Sequence, residues 1–171
     1  MNKLDILLAK DEIRDLQSCY MRGQDRLDAD LQRSVFWPDS TTDYGFFQGS
    51  GDAFVTFAQD LLRRHEANLH LICQSLIEVE GDVAFGEVHY FAYHRVVEDG
   101  APQDLIIAGR YLDRYERRGD TWKIAHRSEL VDWARQDPAG DAALADLLAQ
   151  ARKGARGAAD PSSQRDWLRT A

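Results

Sequence analysis

The sequence predicts an α+β fold: helices first, then a curved and mostly antiparallel sheet. Two observations carry this. Up to His65 the apolar residues recur at spacings of three and four, the period of a helix with one buried face. Beyond His65 the period drops to about two, in four long runs separated by short turn-forming breaks, the pattern of an antiparallel meander.

The first helix is predicted over Leu4 to Met21, where Leu4, Leu7, Leu8, Ile13, Leu16 and Tyr20 form the apolar stripe. A second runs from Ala29 to Trp37 and is closed by Pro38, which cannot continue a helix. Thr41 to Tyr44 reads as a short extended segment. Gly49-Ser50-Gly51-Asp52 then turns the chain into a third helix, with Asp52 as the expected N-cap and Phe54, Val55, Phe57, Ala58, Leu61 and Leu62 as its apolar face.

The strand runs are Asn68 to Val79, Val83 to Val97, Asp104 to Glu116 and Trp122 to Trp133. Glu80-Gly81-Asp82, Glu98 to Pro102 and Arg117-Arg118-Gly119-Asp120 connect them. Such lengths exceed the usual five or six residues, so the strands are expected to bend, with Gly86 and Gly109 as the places for a bulge. A helix from Asp141 to Arg152 and a Gly/Ala/Ser-rich tail complete the chain, with Asp166-Trp167-Leu168 as a segment that could dock on the body. This divides the chain into a main domain, 1–137, and a C-terminal helix and tail, 138–171.

With 171 residues and 44% hydrophobic content, the chain supports one core. The 21 basic residues are scattered among 29 acidic ones for a net charge of -8, which leaves no electrostatic footprint for nucleic acid. No run approaches the roughly 20 apolar residues needed to span a bilayer, and Lys3, Asp5, Lys10 and Asp11 interrupt any leader-like segment, so a cytoplasmic protein is expected. Cys19 and Cys73 have no metal-type spacing, and Cys73 reads as a small buried apolar residue. The five histidines show no His-x-His or His-Glu-x-x-His spacing and there is no glycine-rich phosphate loop, so neither a metal nor another cofactor is expected.

Several segments, in the right order, resemble the SnoaL-like branch of the nuclear transport factor 2-like superfamily, a group that includes scytalone dehydratase, hexachlorocyclohexane dehydrochlorinase and polyketide cyclases. They are Asp11 to Leu16 running on to Asp25, Asp43-Tyr44-Gly45, Asn68-Leu69-His70, Glu80 to Ala84, Gly109-Arg110-Tyr111, and Trp122 to Arg127 with Asp132-Trp133. The resemblance implies a cone-shaped α+β barrel whose sheet wraps around a pocket covered by the N-terminal helices. It also implies an acid-histidine dyad of Asp25 with His70, although His65 lies close enough in sequence to compete for that position.

A carboxylate bonded to one imidazole nitrogen fixes the tautomer and leaves the other nitrogen as a base. On the last strand His126 and Arg127 alternate, so only one of them can face the pocket, and the resemblance favours Arg127 as a cation for a developing negative charge. Tyr44 is the candidate to polarise a carbonyl or hold a water. Substrate contacts are expected from Asp43, Phe47, Phe54, His89, Phe91, Arg110 and Trp133. On the second long strand Glu87, His89, Phe91 and Tyr93 share one face and Val88, Tyr90, Ala92 and His94 the other; the first set suits a pocket wall and equally suits an outer surface.

The expected activity is that of a cofactor-independent lyase or isomerase, removing a proton and expelling water, a halide or a small carbon fragment from an apolar, aromatic small molecule. The alternative is a non-catalytic binding or assembly subunit, such as the small subunit of an aromatic-ring dioxygenase. A homodimer or homotrimer is expected, since long strands leave one sheet face needing cover.

Overall fold

The computed structural model describes residues 1–169. Helix α1, Lys3–Asp25, opens on a reciprocal cap: Asn2 Oδ1 accepts from the Leu4 and Asp5 amides at 2.8 and 2.9 Å, while the Asp5 carboxylate accepts from the Asn2 amide at 3.0 Å. Its buried stripe, Ala9, Ile13, Gln17, Tyr20 and Gln24, lies over the sheet. Helix α2, Ala29–Ser34, crosses α1 where a side chain on Gly23 would sit 2.7 Å from Gln32 Cβ, so only glycine allows the approach. Helix α3, Gly51–Leu62, is capped by Ser50, whose hydroxyl accepts from the Ala53 amide at 3.2 Å, and not by Asp52.

The second helix is shorter than the sequence suggests. It ends at Ser34, and strand β1, Phe36–Asp43, contains Pro38 instead of stopping before it. β1 runs parallel to β6, and their register shifts between Phe36 and Thr41, so Pro38 falls where the ladder is interrupted and its missing N–H is tolerated. Strand β2, Gln48–Ser50, pairs antiparallel with the end of β1.

Four long strands follow, β3 Ala67–Glu80, β4 Val83–Glu98, β5 Ala101–Arg118 and β6 Thr121–Pro138, giving a curved, unclosed six-stranded sheet of order β2-β1-β6-β5-β4-β3. Of the two glycines expected to break the ladder, Gly109 does so: opposite it β6 carries one extra residue, and a side chain at 109 would meet the Leu130 carbonyl at 2.1 Å. Gly86 stays in regular register and makes room for the ring of Tyr115. A second irregularity, between Ile72 and Ser75 on β3, leaves Cys73 exposed, against the expectation of burial.

Beyond β6 the expected twelve-residue helix reduces to a 3-10 turn, Ala142–Leu144, and a single α turn, α4, Ala145–Ala149, with no buried residue to hold a longer one. Residues 154–163 pack back onto the end of α1 and the start of β3. The Gly157 amide donates to the Arg26 carbonyl at 2.6 Å, Arg26 bridges to buried Asp160 at 3.1 Å, and Arg22 bonds Ser162 at 2.9 Å. The last helix, α5 Asp166–Arg169, carries Trp167, whose indole N–H donates to the Pro161 carbonyl at 3.1 Å. Among the described residues no helix is long and apolar enough to cross a membrane.

A buried polar chain ties α1 to the concave face of the sheet. Ser75 donates to Gln17 at 2.9 Å, Gln17 to the Tyr115 hydroxyl at 3.0 Å, and Tyr115 to Asp113 at 2.5 Å. Arg127 then donates to both Asp113 oxygens at 2.7 Å. Apolar side chains from α1, α3 and the sheet surround this chain and form the core.

Candidate active site

Helix α1 ends at the mouth of the sheet, and its last residue, Asp25, is held there by β3. Its carboxylate accepts from the His70 amide at 3.0 and 3.1 Å, from Asn68 Nδ2 at 3.0 Å and from His70 Nδ1 at 2.7 Å. A carboxylate only accepts, so the imidazole proton sits on Nδ1 and the Nε2 lone pair is left free. Both side chains are more than nine-tenths buried. Of the two histidines close in sequence, the structure therefore joins Asp25 to His70.

His70 opens onto a cavity of ≈ 320 Å³ between α3 and the concave face of the sheet. Its walls are aromatic and aliphatic, from Phe54 and Phe57 on α3 to Tyr90 and Tyr111 on the sheet, with few polar groups among them. Tyr44 lies flat on Phe54, ring centroids 3.6 Å apart, and its hydroxyl shares a 2.8 Å hydrogen bond with that of Tyr20. Burial pushes the phenols of Tyr20, Tyr44 and Tyr111 up, so they stay neutral donors.

Two more histidines stand beside the dyad. His94 packs edge-on against His70, centroids 5.1 Å apart, and its Nδ1 is 3.2 Å from that of His65. Burial, with the neighbouring His70 and His65 after it, pushes His94 down to about 3, so it is a neutral imidazole at physiological pH. Behind the dyad, Arg156 donates to the Asn68 side-chain oxygen at 2.7 Å and to the His65 carbonyl at 2.9 Å, linking the C-terminal segment to the residue that holds Asp25. Among the described residues no group of three or more His, Cys, Asp or Glu is placed to hold a metal ion.

The residues singled out from the sequence divide into three sets. His70, Tyr44 and Phe54 line the cavity, with Asp25 directly behind His70. Arg127 points to the concave side and His126 to the other, where it bonds Thr41 at 2.7 Å, but the Arg127 guanidinium lies beneath the cavity instead of in its wall. It is sandwiched 4.2 Å from the Tyr20 and Tyr111 rings, both Asp113 oxygens occupy it, and its Nη1 is buried with no hydrogen-bond partner. Phe47 packs edge-on behind Phe54 at 5.5 Å, one layer removed from the cavity.

The third set does not reach the cavity. Asp43 is spent on its own turn, accepting from the Gly45 amide at 2.9 Å and from Gln48 at 3.1 Å. On β4 the cavity face is Tyr90, Ala92 and His94, which places His89 and Phe91 on the outer face. There His89 bonds Glu87 at 3.0 Å, and Arg110, across from His89, forks onto Asp132 at 3.0 and 3.1 Å. Trp133 follows Arg127, Glu129 and Val131 in strict alternation, but the bulge opposite Gly109 breaks the phase and turns it outward onto Phe91, at 6.1 Å.

Sequence reasoning missed Glu129, which lines the cavity and whose carboxyl burial holds up. The signal was available: a strand that points Arg127 inward points Glu129 inward as well. His94, Tyr90 and Tyr111 were likewise readable as one face of two neighbouring strands.

Residues 5–128 match the family model described as a SnoaL-like domain. Over 137 residues the chain is 25% identical to hexachlorocyclohexane dehydrochlorinase 1 of Sphingobium indicum, covering 78% of this chain and 88% of that one. Its fold is similar to that of the hexachlorocyclohexane dehydrochlorinase LinA-type3 from Novosphingobium barchaimii, with a TM-score of 0.73 at 23% identity over 80% of this chain and 94% of the other. It is also similar to a candidate scytalone dehydratase from Novosphingobium aromaticivorans, with a TM-score of 0.68 at 18% identity over 78% and 91%.

Proposed function

The chain belongs to the SnoaL-like family, and from that membership and the cavity we propose that it is a cofactor-independent lyase acting on an apolar, aromatic small molecule by proton abstraction and elimination. The observation that carries this reading is the Asp25–His70 pair at 2.7 Å, opening onto a cavity of ≈ 320 Å³. An open cavity in front of an oriented imidazole supports an enzyme over the assembly-subunit alternative, for which a cone filled with side chains would be expected. The similarity to a protein named a dehydrochlorinase supports the same class.

In this mechanism His70 Nε2 removes a proton from carbon. Asp25 holds the tautomer and offsets the positive charge that His70 gains, a role worth roughly 10²–10⁴ in rate for the base as a whole. Tyr44 is the electrophilic group: its hydroxyl, hydrogen-bonded to that of Tyr20, donates to an oxygen on which negative charge develops when Tyr20 is the donor of that pair. Arg127 acts from below on the phenols it touches and is a positioning cation instead of a substrate contact. Phe54, Phe57, Tyr90 and Tyr111 supply the flat apolar walls that suit an aromatic ring.

The test is a thermal-midpoint screen of the purified protein against hydroxylated, methoxylated and halogenated aromatic compounds, run alongside His70→Ala. A compound that stabilises both proteins and is consumed only by the wild type supports the mechanism; turnover surviving in His70→Ala overturns it. The expected homodimer or homotrimer remains part of the proposal, and light scattering of the same preparation measures it.

A further inference from the structure

Among the described residues Glu129 is the one carboxyl in the cavity wall, and the dyad mechanism leaves it without a task. Its surroundings are unusual for a glutamate. Tyr111 stands beside it on β5, Tyr90 approaches from β4, Arg127 lies two residues back on its own strand, and His70 faces it from β3. The neighbouring guanidinium is already committed, since Asp113 occupies Arg127 with both oxygens, and among the described residues Glu129 forms no ion pair. Burial without a counter-ion favours the neutral carboxylic acid, and the direction of its shift is upward.

The placement relative to His70 is informative. The two residues sit on strands three places apart in the sheet order, which in a flat sheet would separate them by about 14 Å. The curvature of the sheet turns both toward one cavity, so a substrate lying on the aromatic walls meets an imidazole and a carboxyl together.

Resting on the lyase reading above, we propose that Glu129 is the general acid of this cavity and that the site is built for substrates that expel a hydroxyl group as water. His70 Nε2 takes the C–H proton, and the electrons of that bond form the new C=C bond. The C–O bond breaks and the departing oxygen takes the proton of the Glu129 carboxyl. The products are an alkene and water, with the imidazolium and carboxylate left behind; transfer of the proton from His70 to Glu129 through water restores both. A halide leaves without a proton, whereas hydroxide, with a conjugate acid of pKa 15.7, does not. An acid sharing the cavity with the base is therefore useful for a hydroxyl substrate and idle for a halide.

Two probes separate these roles because they give the same product: 3-hydroxy-1-indanone loses water and 3-chloro-1-indanone loses hydrogen chloride, both to 1-indenone. With uncatalysed loss subtracted, Glu129→Gln is expected to slow the hydroxyl substrate by about 10²-fold or more and the chloride by less than about threefold, with Glu129→Asp partly restoring the first. Equal slowing of both substrates, or no slowing of either, overturns the acid. His70→Ala tests the underlying reading separately, since it must slow both.

An infrared difference spectrum of wild type against Glu129→Gln needs no substrate. It is expected to show a protonated carboxyl persisting above the ordinary glutamate range. A Glu129 that ionises within that ordinary range overturns the proposal whatever the indanones do.

Discussion

The two faces of the long strands carry the same pairs of residues in opposite circumstances. On the concave face His70 meets Asp25 at 2.7 Å with side chains 7% and 8% exposed, while on the outer face His89 meets Glu87 at 3.0 Å with 35% and 41% exposed. Arg127 and Asp113 are 1% and 0% exposed, whereas Arg110 and Asp132 are 30% and 44%. The chemistry of the partners is nearly identical, yet among the described residues only the concave face has a cavity lined by several aromatic rings and a helical cover. Residue type alone therefore does not mark a site. Strand phase and what lies above the face decide it.

Paired substitutions of histidine give the largest expected contrast between the two faces. His70→Ala is expected to reduce turnover by roughly 10²–10⁴-fold with ligand binding retained, and His89→Ala to leave turnover within about twofold. Equal effects would erase the distinction between the faces. The arginine pairs come next and are read by denaturant midpoints. Arg127→Leu leaves Asp113 buried with its charge uncompensated and is expected to cost about 3–5 kcal/mol of stability, against little or no change in midpoint for the exposed Arg110→Ala.

A third comparison uses pH. His94 is held down to about 3 by burial, so between about 6.5 and 3 the unfolded chain binds a proton that the folded one does not. Stability from this residue is present above pH 6.5 and is lost as pH falls toward 3, on the order of a few kcal/mol over that window. His94→Asn is expected to flatten the acid limb of a stability profile; an unchanged limb would remove His94 as its source. The smallest effect is Arg156→Ala. It removes the hydrogen bond to Asn68 and is expected to lower kcat by about fivefold, equivalent to about 1 kcal/mol, with little change in midpoint.

Much of the architecture was readable because local rules agreed there: an apolar stripe on α1, two-residue turns at Gly81-Asp82, Asp99-Gly100 and Gly119-Asp120, and alternation along β4 and the second half of β5. Misreadings came where a long-range partner outvoted a local rule. Pro38 looked like a helix stop and lies in a strand whose neighbour shifts register beside it. Trp133 kept phase with Arg127 until one extra residue on β6 turned it outward, and nothing in Asp132 announces that insertion. The choice between the two faces of β4 stayed open because alternation defines faces without saying which is covered. Asp25 and His70 are far apart in sequence, and only the family resemblance brought them together before the structure did.

The packing of residues 154–163 against the dyad has a consequence in time. Its bonds join positions 88 to 141 residues apart, among them the longest side-chain closures of the described residues, and they are made by exposed and part-buried groups outside the core. Contacts of that kind form late in folding and open early on warming. During synthesis, the core can close before this segment has emerged, leaving a folded body whose Asn68 still lacks its last support. On the lyase reading, full activity is then expected to be the last property to appear in maturation, and on heating to decline some degrees before the core unfolds.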